Sequence, residues 1–327
     1  MIRLSIGTAI ELGIKRGQSD IPPTTAYIMI GNQCNNRCSF CSQSIESNSR
    51  KDKLSRVLWP EYIKEEILDA FKSYEGENIK RICLQSMDSE ESLNEVRKFI
   101  KYVNSNLNVP IPISLSAKLE DMDEIEKFFD LGVEKIGIAI DAANKELYEK
   151  IKGTNFDKKI DFIKEAGLIY PNRISTHIIV GLGESHKDIY DLYKTLKGYN
   201  ITISLFAFTP VKGTKMEDVS QPSIESYRRV QLMTYMMDKG YNGDYFKFGL
   251  DGYLEEIEID EYINMDILKG KPFEIKGCKN CNRPYYNERP GHTIYNYSRK
   301  LSKEEVKLAI KEINLDIGEA KLCKSGE

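Results

Sequence analysis

The segment AYIMIGNQCNNRCSFCSQS, residues 26–44, joins an apolar run to three closely spaced cysteines. The run 26–30 is typical of a buried β-strand, and Cys34, Cys38 and Cys41 follow it with C-x3-C-x2-C spacing. A structural zinc site normally takes four ligands in paired form, and this segment contains no histidine. Three thiolates on one short loop suit three irons of a 4Fe–4S cluster and leave the fourth iron open to another molecule. The alternatives are three structural cysteines or a degenerate zinc loop.

Short apolar runs alternate with amphipathic helical patterns as far as about residue 276. The runs predicted as strands are 26–30, 81–85, 113–116, 135–140, 175–180, 201–206, 245–248 and 273–275. The first helix after the cysteines is predicted from about Glu61, behind Pro60, with Ile63 in its buried stripe. Strands alternating with helices predict a parallel sheet, and about 250 residues is the usual size of an eight-fold β/α barrel. We therefore expect an α/β fold with a TIM-type barrel, and a doubly wound open sheet is the alternative.

Composition narrows the class of protein. The 327 residues include 47 Lys and Arg against 50 Asp and Glu, a net charge of −3, whereas nucleic-acid binding usually requires a basic excess. Mean hydropathy is −0.44, and no apolar stretch approaches the roughly 20 residues of a membrane span. Residues 1–17 are amphipathic and lack the apolar block of a signal peptide. We expect a cytoplasmic protein with neither a nucleic-acid nor a membrane partner.

The chain is predicted to have three parts. Residues 1–24 form an N-terminal helical extension, residues 25–269 the barrel, and residues 270–327 a C-terminal segment that contains Cys278, Cys281 and Cys323. The total of seven cysteines is odd, which argues for metal ligands or catalytic groups instead of a disulfide framework. Ser302 and Glu305 form a capping-box signature that predicts a last helix.

At Cys34, Cys38 and Cys41 the chain resembles the radical S-adenosylmethionine (SAM) superfamily. The resemblance implies a β/α barrel with a 4Fe–4S cluster at the C-terminal mouth of its strands. It also implies that one electron, from a donor such as ferredoxin or flavodoxin, cleaves SAM to methionine and a 5′-deoxyadenosyl radical. Expected SAM contacts are Phe40 near the adenine, Asp141 at the ribose, and Ile179 in the motif 177–184. His177 stands where the family usually has glycine.

Flanking motifs narrow the resemblance to biotin synthase and its relatives. These are the Ser-Gln-Ser after Cys41 and the segments 208–214 and 227–237. The 2Fe–2S cluster of biotin synthase needs three cysteines and an arginine on four strands. The matching positions in this chain are Cys83, Ile113, Ser175 and Lys247. Only one ligand of four remains, so biotin synthase itself is disfavoured.

The C-terminal motif GCKNCNRPYYNERPG, residues 277–291, together with the biotin-synthase-like core, resembles the two-component lipoyl synthases. That resemblance implies a second, auxiliary 4Fe–4S cluster that donates sulfur, with Cys278, Cys281 and Cys323 as its ligands. The implied substrate is an octanoyl or mercapto-octanoyl chain on a lipoyl-carrier protein, in an apolar lumen. The implied partner is the second radical SAM subunit of the pair.

Several alternatives remain open from the sequence. Cys83 can replace Cys323 as the third auxiliary ligand or be an ordinary buried cysteine, and the C-terminal cysteines can hold a structural zinc. A biotin-synthase-like enzyme that acts on another small substrate is the second functional hypothesis. A non-catalytic metal-binding scaffold is the third.

Overall fold

The computed structural model describes residues 1–107, 111–288 and 291–315. The predicted ligand Cys323 lies outside these ranges, as does the end of the C-terminal segment. In the part of the chain that is described, no helix is long and apolar enough to cross a membrane.

Twelve strands and ten α-helices make up the described fold. The strands are β1 (Ile2–Leu4), β2 (Ala26–Ile30), β3 (Lys53–Leu54), β4 (Val57–Leu58), β5 (Glu61–Tyr62), β6 (Ile82–Ser86), β7 (Ile113–Ser116), β8 (Val133–Gly137), β9 (Ile174–Val180), β10 (Thr202–Ala207), β11 (Phe246–Phe248) and β12 (Leu254–Ile257). The helices are α1 (Ile6–Glu11), α2 (Lys64–Ser73), α3 (Glu90–Asn106), α4 (Met122–Asp130), α5 (Lys145–Lys152), α6 (Phe156–Ile169), α7 (His186–Lys197), α8 (Ile224–Asp238), α9 (Glu261–Ile267) and α10 (Lys303–Ile313).

An eight-stranded sheet with the order β10-β9-β8-β7-β6-β2-β1-β5 forms the centre of the fold. The six strands from β2 to β10 in that order run parallel, and β1 pairs antiparallel with both β2 and β5. Among the described residues no ladder joins β10 to β5, so the barrel is open along this edge. The predicted α/β class and barrel-type fold are confirmed.

Two of the predicted strands are not part of the main sheet. The predicted seventh strand, 245–248, is β11, which pairs only with β12 in a separate antiparallel hairpin. The predicted eighth, 273–275, contributes only an isolated bridge between Glu274 and Tyr297. The sheet still has eight strands because β1 and β5, which the sequence did not predict, occupy one edge.

The N-terminal extension contains helix α1, as expected, and also strand β1. Glu61 and Tyr62 pair with β1, so α2 begins at Lys64, three residues later than predicted. Ile63 is the N-cap of α2 and is 66% exposed, not part of the buried stripe. Pairing with a strand remote in sequence has overridden the local helical signal.

Side-chain alternation along the parallel strands separates a core from a lumen. On β9, Ile174, Ile178 and Val180 are buried in the main core, whereas Ser175, His177 and Ile179 line a cavity inside the barrel. This is the period-two pattern of a strand with two different environments. The inward positions of the strands therefore supply the candidate site.

Residues 270–288 and 291–315 pack back onto the barrel. Arg228 of α8 is fully buried and donates to the Tyr295 carbonyl oxygen at 2.7 Å and to Glu312 Oε2 at 2.9 Å. Glu312 lies on α10, which begins with the predicted capping box of Ser302 and Glu305. The buried charge is thus compensated by an acid from the C-terminal segment, and this holds the segment against α8.

We expect the stability of the fold to depend on pH through the buried His186. His186 is buried, accepts the Leu254 backbone N–H on Nδ1 at 3.1 Å, and contacts Ser226 Oγ through Nε2 at 2.8 Å. Burial, with a smaller contribution from Arg229, lowers its pKa to about 4. The folded pKa is below the unfolded value, so the stabilising contribution of His186 is complete above about pH 6.5 and declines as the pH falls toward 4.

We expect His186→Gln to remove part of this pH dependence. Between pH 7.5 and pH 5 the wild type should lose about 2 kcal/mol more unfolding free energy than the variant, measured by urea denaturation under anaerobic conditions. His292→Gln, at an exposed histidine, should keep the wild-type slope. Parallel slopes in all three proteins would contradict the assignment.

Candidate active site: two cysteine triads around the barrel lumen

The first cysteine triad, Cys34, Cys38 and Cys41, lies in the long loop after β2, at the carboxyl end of the parallel strands. The Asn35 N–H donates to the Asp88 carbonyl at 3.0 Å, and the Ser39 N–H donates to the Ile151 carbonyl at 3.0 Å. The Cys41 N–H donates to the Cys38 carbonyl at 3.1 Å, which makes a turn between these two cysteines. The loop is thus fixed to the ends of two other β/α units.

The three thiols are close enough to influence one another. Burial raises the pKa of Cys38, and Cys34 contributes. Burial raises the pKa of Cys41 to about 12, with Cys38 as the next cause. Buried thiols that stay neutral become ligands when a metal stabilises their thiolate form. The donor set therefore suits the iron–sulfur cluster expected from the spacing.

Arg3 fixes this loop by hydrogen bonds, a role that the sequence did not predict. Its guanidinium is 2% exposed and donates to the carbonyls of Gly31 at 3.1 Å and Lys51 at 2.7 Å, and to Gln43 Oε1 at 3.2 Å. Gln43 in turn donates to the Lys53 carbonyl at 2.6 Å. An arginine on an amphipathic N-terminal segment gives no signal of this role, because its partners lie more than 25 residues away.

Gly213, in the predicted motif 208–214, presses against the same loop. Its carbonyl accepts the Asn48 N–H at 2.8 Å and the Ser47 hydroxyl at 3.2 Å. Its φ is +88°, and a Cβ at this position would lie 2.6 Å from the Ser49 backbone nitrogen. Only glycine allows so close an approach of two backbones.

Asp141, a predicted SAM contact, is the centre of a buried polar group. It has a left-handed φ of 63°, and its carboxylate accepts from Lys152 Nζ and, at 2.7 Å, from His177 Nε2. Burial opposes ionisation, but the Lys152 ammonium and His177 hold the pKa of Asp141 well below its usual range. His177, which departs from the family pattern, is explained by this pairing.

The other two predicted SAM contacts lie on the same cavity. Phe40 and Ile179 both line the barrel lumen, as do Asp141, Lys152 and His177. Lys152 Nζ is 5.9 Å from the Phe40 ring centroid, which links the polar group to the cysteine loop. The structure brings these residues together, and their contact with SAM remains a prediction.

The lumen is a cavity of about 320 Å³. The lumen is mostly apolar, as expected, and its strand-borne lining also includes several hydroxyl groups: Ser114, Ser116, Ser175 and Ser204. Aromatic and aliphatic side chains cover other parts of the wall, among them Phe206 and Tyr286. The lumen therefore offers hydrogen-bonding groups as well as apolar surface.

A second cysteine triad lines the same lumen: Cys83, Cys278 and Cys281. Cys83 is the second residue of β6. Burial raises its pKa well above the usual range, and the neighbouring Cys281 and Cys278 thiols add to the effect. Of the two candidates for the third auxiliary ligand, Cys83 is thus placed beside the C-terminal pair, whereas Cys323 is outside the described residues.

Hydrogen bonds fix the C-x2-C loop at the amino ends of the strands. The Asn280 carbonyl accepts from the hydroxyls of Thr24 and Thr25, both at 2.7 Å. Asn282 Oδ1 accepts the Thr24 N–H at 2.9 Å, and Arg81 Nε donates to the Lys279 carbonyl at 2.9 Å. Thr24, Thr25 and Arg81 immediately precede β2 and β6, so the second triad lies at the opposite end of the lumen from the first.

Two groups also surround Cys281. The Tyr27 hydroxyl is 3.5 Å from its sulfur and accepts the Arg283 N–H at 2.9 Å. The Arg283 guanidinium lies 4.0 Å from the Phe206 ring centroid and donates to the Lys276 carbonyl at 2.8 Å. The second triad is therefore flanked by a phenol and a fixed cation.

The structure corrects two of the positions aligned with the biotin synthase cluster. Ile113 points into the core, and the inward neighbour of Cys83 is Ser114. Lys247 is not in the lumen at all, because it lies on the β11–β12 hairpin, is 66% exposed and pairs with Glu256 at 3.6 Å. Ser175 does line the lumen. None of these three side chains supplies a thiolate beside Cys83.

Zinc and an iron–sulfur cluster differ in how they hold cysteine ligands. Among residues 1–107, 111–288 and 291–315, no three His, Cys, Asp or Glu side chains converge as ligands of one metal ion. A mononuclear zinc holds its thiolates at about 2.3 Å from a single point, whereas a cluster takes each thiolate on a different iron. The kind of metal centre at each triad therefore stays a prediction from the donor set.

Comparisons with known proteins identify the family of the chain. Residues 28–196 match the sequence model of the radical SAM superfamily. A biotin synthase of Methanococcus vannielii is 28% identical over 205 residues, which cover 61% of this chain and 60% of that protein. An uncharacterized protein of Methanocaldococcus jannaschii is 27% identical over 201 residues, 59% of this chain and 51% of that protein. The chain thus spans less than two thirds of either relative.

A solved structure shares the fold. The FeFe-hydrogenase maturase HydG from Carboxydothermus hydrogenoformans aligns with a TM-score of 0.51 at 18% identity, covering 74% of this chain and 55% of that one. At this identity the similarity describes the fold alone.

A substitution at Gly213 tests the contact between the 208–214 segment and the cysteine loop. Gly213→Ala should force residues 47–49 away from the 208–214 segment, with a backbone strain of about 1–3 kcal/mol. We expect less iron per chain after anaerobic reconstitution and weaker SAM binding, with the far-UV circular dichroism unchanged. Gly198→Ala is the matched control, because no atom lies within 4 Å of its Cβ position. Full iron content and SAM affinity in Gly213→Ala would show that this contact is dispensable.

Proposed function

The chain belongs to the radical SAM superfamily, and on that premise we propose that it is a lipoyl-synthase-type sulfur-insertion enzyme. Its substrate would be an octanoyl or mercapto-octanoyl chain on a lipoyl-carrier protein, and its product the same chain with sulfur in place of an unactivated C–H hydrogen. A second radical SAM subunit would complete the pair, and a ferredoxin or flavodoxin would supply electrons.

The proposal is supported by one small cavity that is lined by cysteines of both triads. Cys38 and Cys41 line it from the carboxyl ends of the strands, and Cys83, Cys278 and Cys281 line it from the amino ends. Strand β2 has five residues, and at about 3.3 Å per residue this separates the ends by about 15 Å. A substrate carbon in the lumen would lie between the two triads.

When bound, the two clusters and SAM supply the radical and the sulfur, chemistry that no amino-acid side chain provides. The residues of the chain bind, orient and shield. The first triad would hold the SAM-binding cluster, with Phe40, Asp141 and Ile179 around the nucleoside. The second triad would hold the auxiliary cluster. Walls such as Phe206 and Tyr286 would exclude water from the reacting carbon.

A biotin-synthase-like enzyme with another small substrate is the second candidate, and the sequence similarity to biotin synthases favours it. Against biotin synthase itself stand Ser114, the strand neighbour of Cys83, and Ser175, which bring hydroxyl groups to the lumen at two of the aligned strands. The C-terminal pair Cys278 and Cys281 offers a different ligand set, and this favours the lipoyl-type reaction.

Metal analysis tests the two-cluster arrangement. Anaerobically reconstituted wild type should contain about eight irons per chain, as two 4Fe–4S clusters. We expect about four when Cys34, Cys38 and Cys41 are all changed to Ala, and about four when Cys83, Cys278 and Cys281 are changed. Cys323→Ala should keep about eight.

Two results would revise this assignment. Loss of half the iron in Cys323→Ala, with full iron in Cys83→Ala, would make Cys323 the third auxiliary ligand. Zinc in place of iron in the variant that lacks the first triad would make the C-terminal cysteines structural.

A turnover assay tests the reaction. With SAM, reductant, the partner subunit and an octanoylated carrier peptide, we expect 5′-deoxyadenosine and sulfur bound to the octanoyl chain, followed by mass spectrometry. Cleavage of SAM with no sulfur on the octanoyl peptide, but with sulfur on a biotin precursor, would favour the second candidate. A complete lack of 5′-deoxyadenosine would instead indicate a non-catalytic scaffold.

A further inference from the structure

Lys152 carries a positive charge at the boundary between two cavities. Its side chain lines the lumen and also a separate small cavity of about 150 Å³. Only 14% of that side chain is exposed. A lysine is rarely buried unless another group pairs with its charge, so the groups around the ammonium indicate what it does.

The main chain places Lys152 beside the first triad. It is the last residue of α5, and Gly153, with a left-handed φ of 69°, ends the helix. The carbonyl of Ile151 accepts the N–H of Ser39, the residue after Cys38, at 3.0 Å. The end of the helix and the cysteine loop are therefore held in contact. A cation is also favourable in the last turn of a helix, where the free carbonyl groups point.

Two groups share the Lys152 ammonium. It donates to the Asp141 carboxylate in a buried ion pair, and it also acts on the Cys38 thiol. Burial raises the pKa of Cys38, and Lys152 is the strongest of the groups that oppose this rise. Burial likewise opposes the charge of Lys152, but Asp141 and then Cys38 hold its pKa above the usual value. The ammonium thus lies between an expected nucleoside contact and an expected cluster ligand.

The Asp141 end of this pair is fixed independently of Lys152. The Asp141 N–H donates to the His177 carbonyl at 3.0 Å, and the Asp141 carbonyl accepts the Ile179 N–H at 2.8 Å. Its carboxylate also accepts from His177 Nε2 at 2.7 Å. Because β9 holds the residue on both sides, a substitution at Lys152 changes the charge here more than the geometry.

We infer that Lys152 is a positioning residue for the cluster of the first triad, which holds Cys38 beside Asp141 and makes the cluster easier to reduce. Reduction adds one negative charge to a cluster, and its reduction potential is set by net charge and by hydrogen bonds to the sulfurs. A buried positive charge stabilises the more negative state. The inference goes beyond the proposed function, because it depends on the family of the chain and holds for any substrate.

Asp141 should act on the cluster in the opposite direction. Its carboxylate raises the pKa of the Cys38 thiol, but less strongly than Lys152 lowers it. The pair therefore leaves a net positive influence at Cys38. Substitutions at Lys152 and at Asp141 should then shift the potential with opposite signs, which a general disturbance of packing would not produce.

A potentiometric titration without SAM, followed by electron paramagnetic resonance, tests this. The reference is the full-length chain with Cys83, Cys278 and Cys281 changed to Ala, so that only iron at the first triad gives a signal. We expect Lys152→Met to make the cluster about tenfold harder to reduce, a shift of about 59 mV to more negative potential. Asp141→Asn should shift the potential to more positive values. Lys152→Arg, which keeps the charge, should stay near the reference.

Lys145→Met is the matched control. Lys145 lies on the same helix, but it is exposed and pairs with Asp157, so its loss should leave the potential unchanged. The double variant Lys152→Met with Asp141→Asn removes both buried charges together, which avoids leaving one of them unpaired. Its potential should lie between those of the two single variants and below the reference. The double variant keeps the test decisive if a single variant loses its iron.

The outcomes separate this inference from the proposed function. Shifts of the same sign in Lys152→Met and Asp141→Asn, a double variant at the reference potential, or an equal shift in Lys145→Met would each overturn the role of Lys152, even if sulfur insertion occurs. The expected shifts in a protein that inserts no sulfur would keep this role and reject the proposed reaction.

Discussion

The hydrogen bonds between Asn280, Asn282 and the start of β2 connect the C-terminal segment to the barrel. Together with the bond from Arg81 to the Lys279 carbonyl, they attach the loop that carries Cys278 and Cys281 to the amino ends of the parallel strands. The hydroxyls of Thr24 and Thr25 both donate to the Asn280 carbonyl. The Asn282 side chain accepts the Thr24 N–H and donates to the Pro22 carbonyl. Backbone groups left free at a strand end are costly unless something pairs with them. The loop therefore completes the sheet end and carries two thiols to Cys83.

Charge arrangement at the other end of the lumen follows similar logic. Asp141 is buried and carries an anion next to a loop of thiols. An unpaired carboxylate there would be strongly unfavourable, and Lys152 and His177 compensate it from α5 and β9. The ammonium of Lys152 also faces Cys38 and Phe40. One buried ion pair thus couples the strand that carries Ile179 to the loop that carries the first triad.

Local patterns predicted the first triad and the parallel strands, because both depend on spacing along the chain. The errors have a different origin. β1 and β5 are too short for periodicity to show, and they form because β2 offers a free edge. The sequence comparison assigned Ile113 to a lumen position that Ser114 occupies. A shift of one residue along a strand moves a side chain to the opposite face of the sheet, so this error exchanged a core position for a lumen position. The approach of Cys83 to Cys278 and Cys281 is set by the hydrogen bonds of the connecting loop, so no sequence spacing encodes it.

The size of the lumen bears on the proposed reaction on an acyl chain. A lumen of about 320 Å³ is at the lower end of ligand-pocket sizes, and a nucleoside-containing cofactor would fill most of it. Its serine hydroxyls can bind the polar parts of that cofactor, beside a wall that is otherwise mostly apolar. A larger cavity of about 630 Å³, which shares Tyr27 and Tyr286 with the lumen, adds further apolar surface. For the proposed function, a long acyl chain would therefore lie mainly outside the lumen, with only its reacting end between the two cysteine triads.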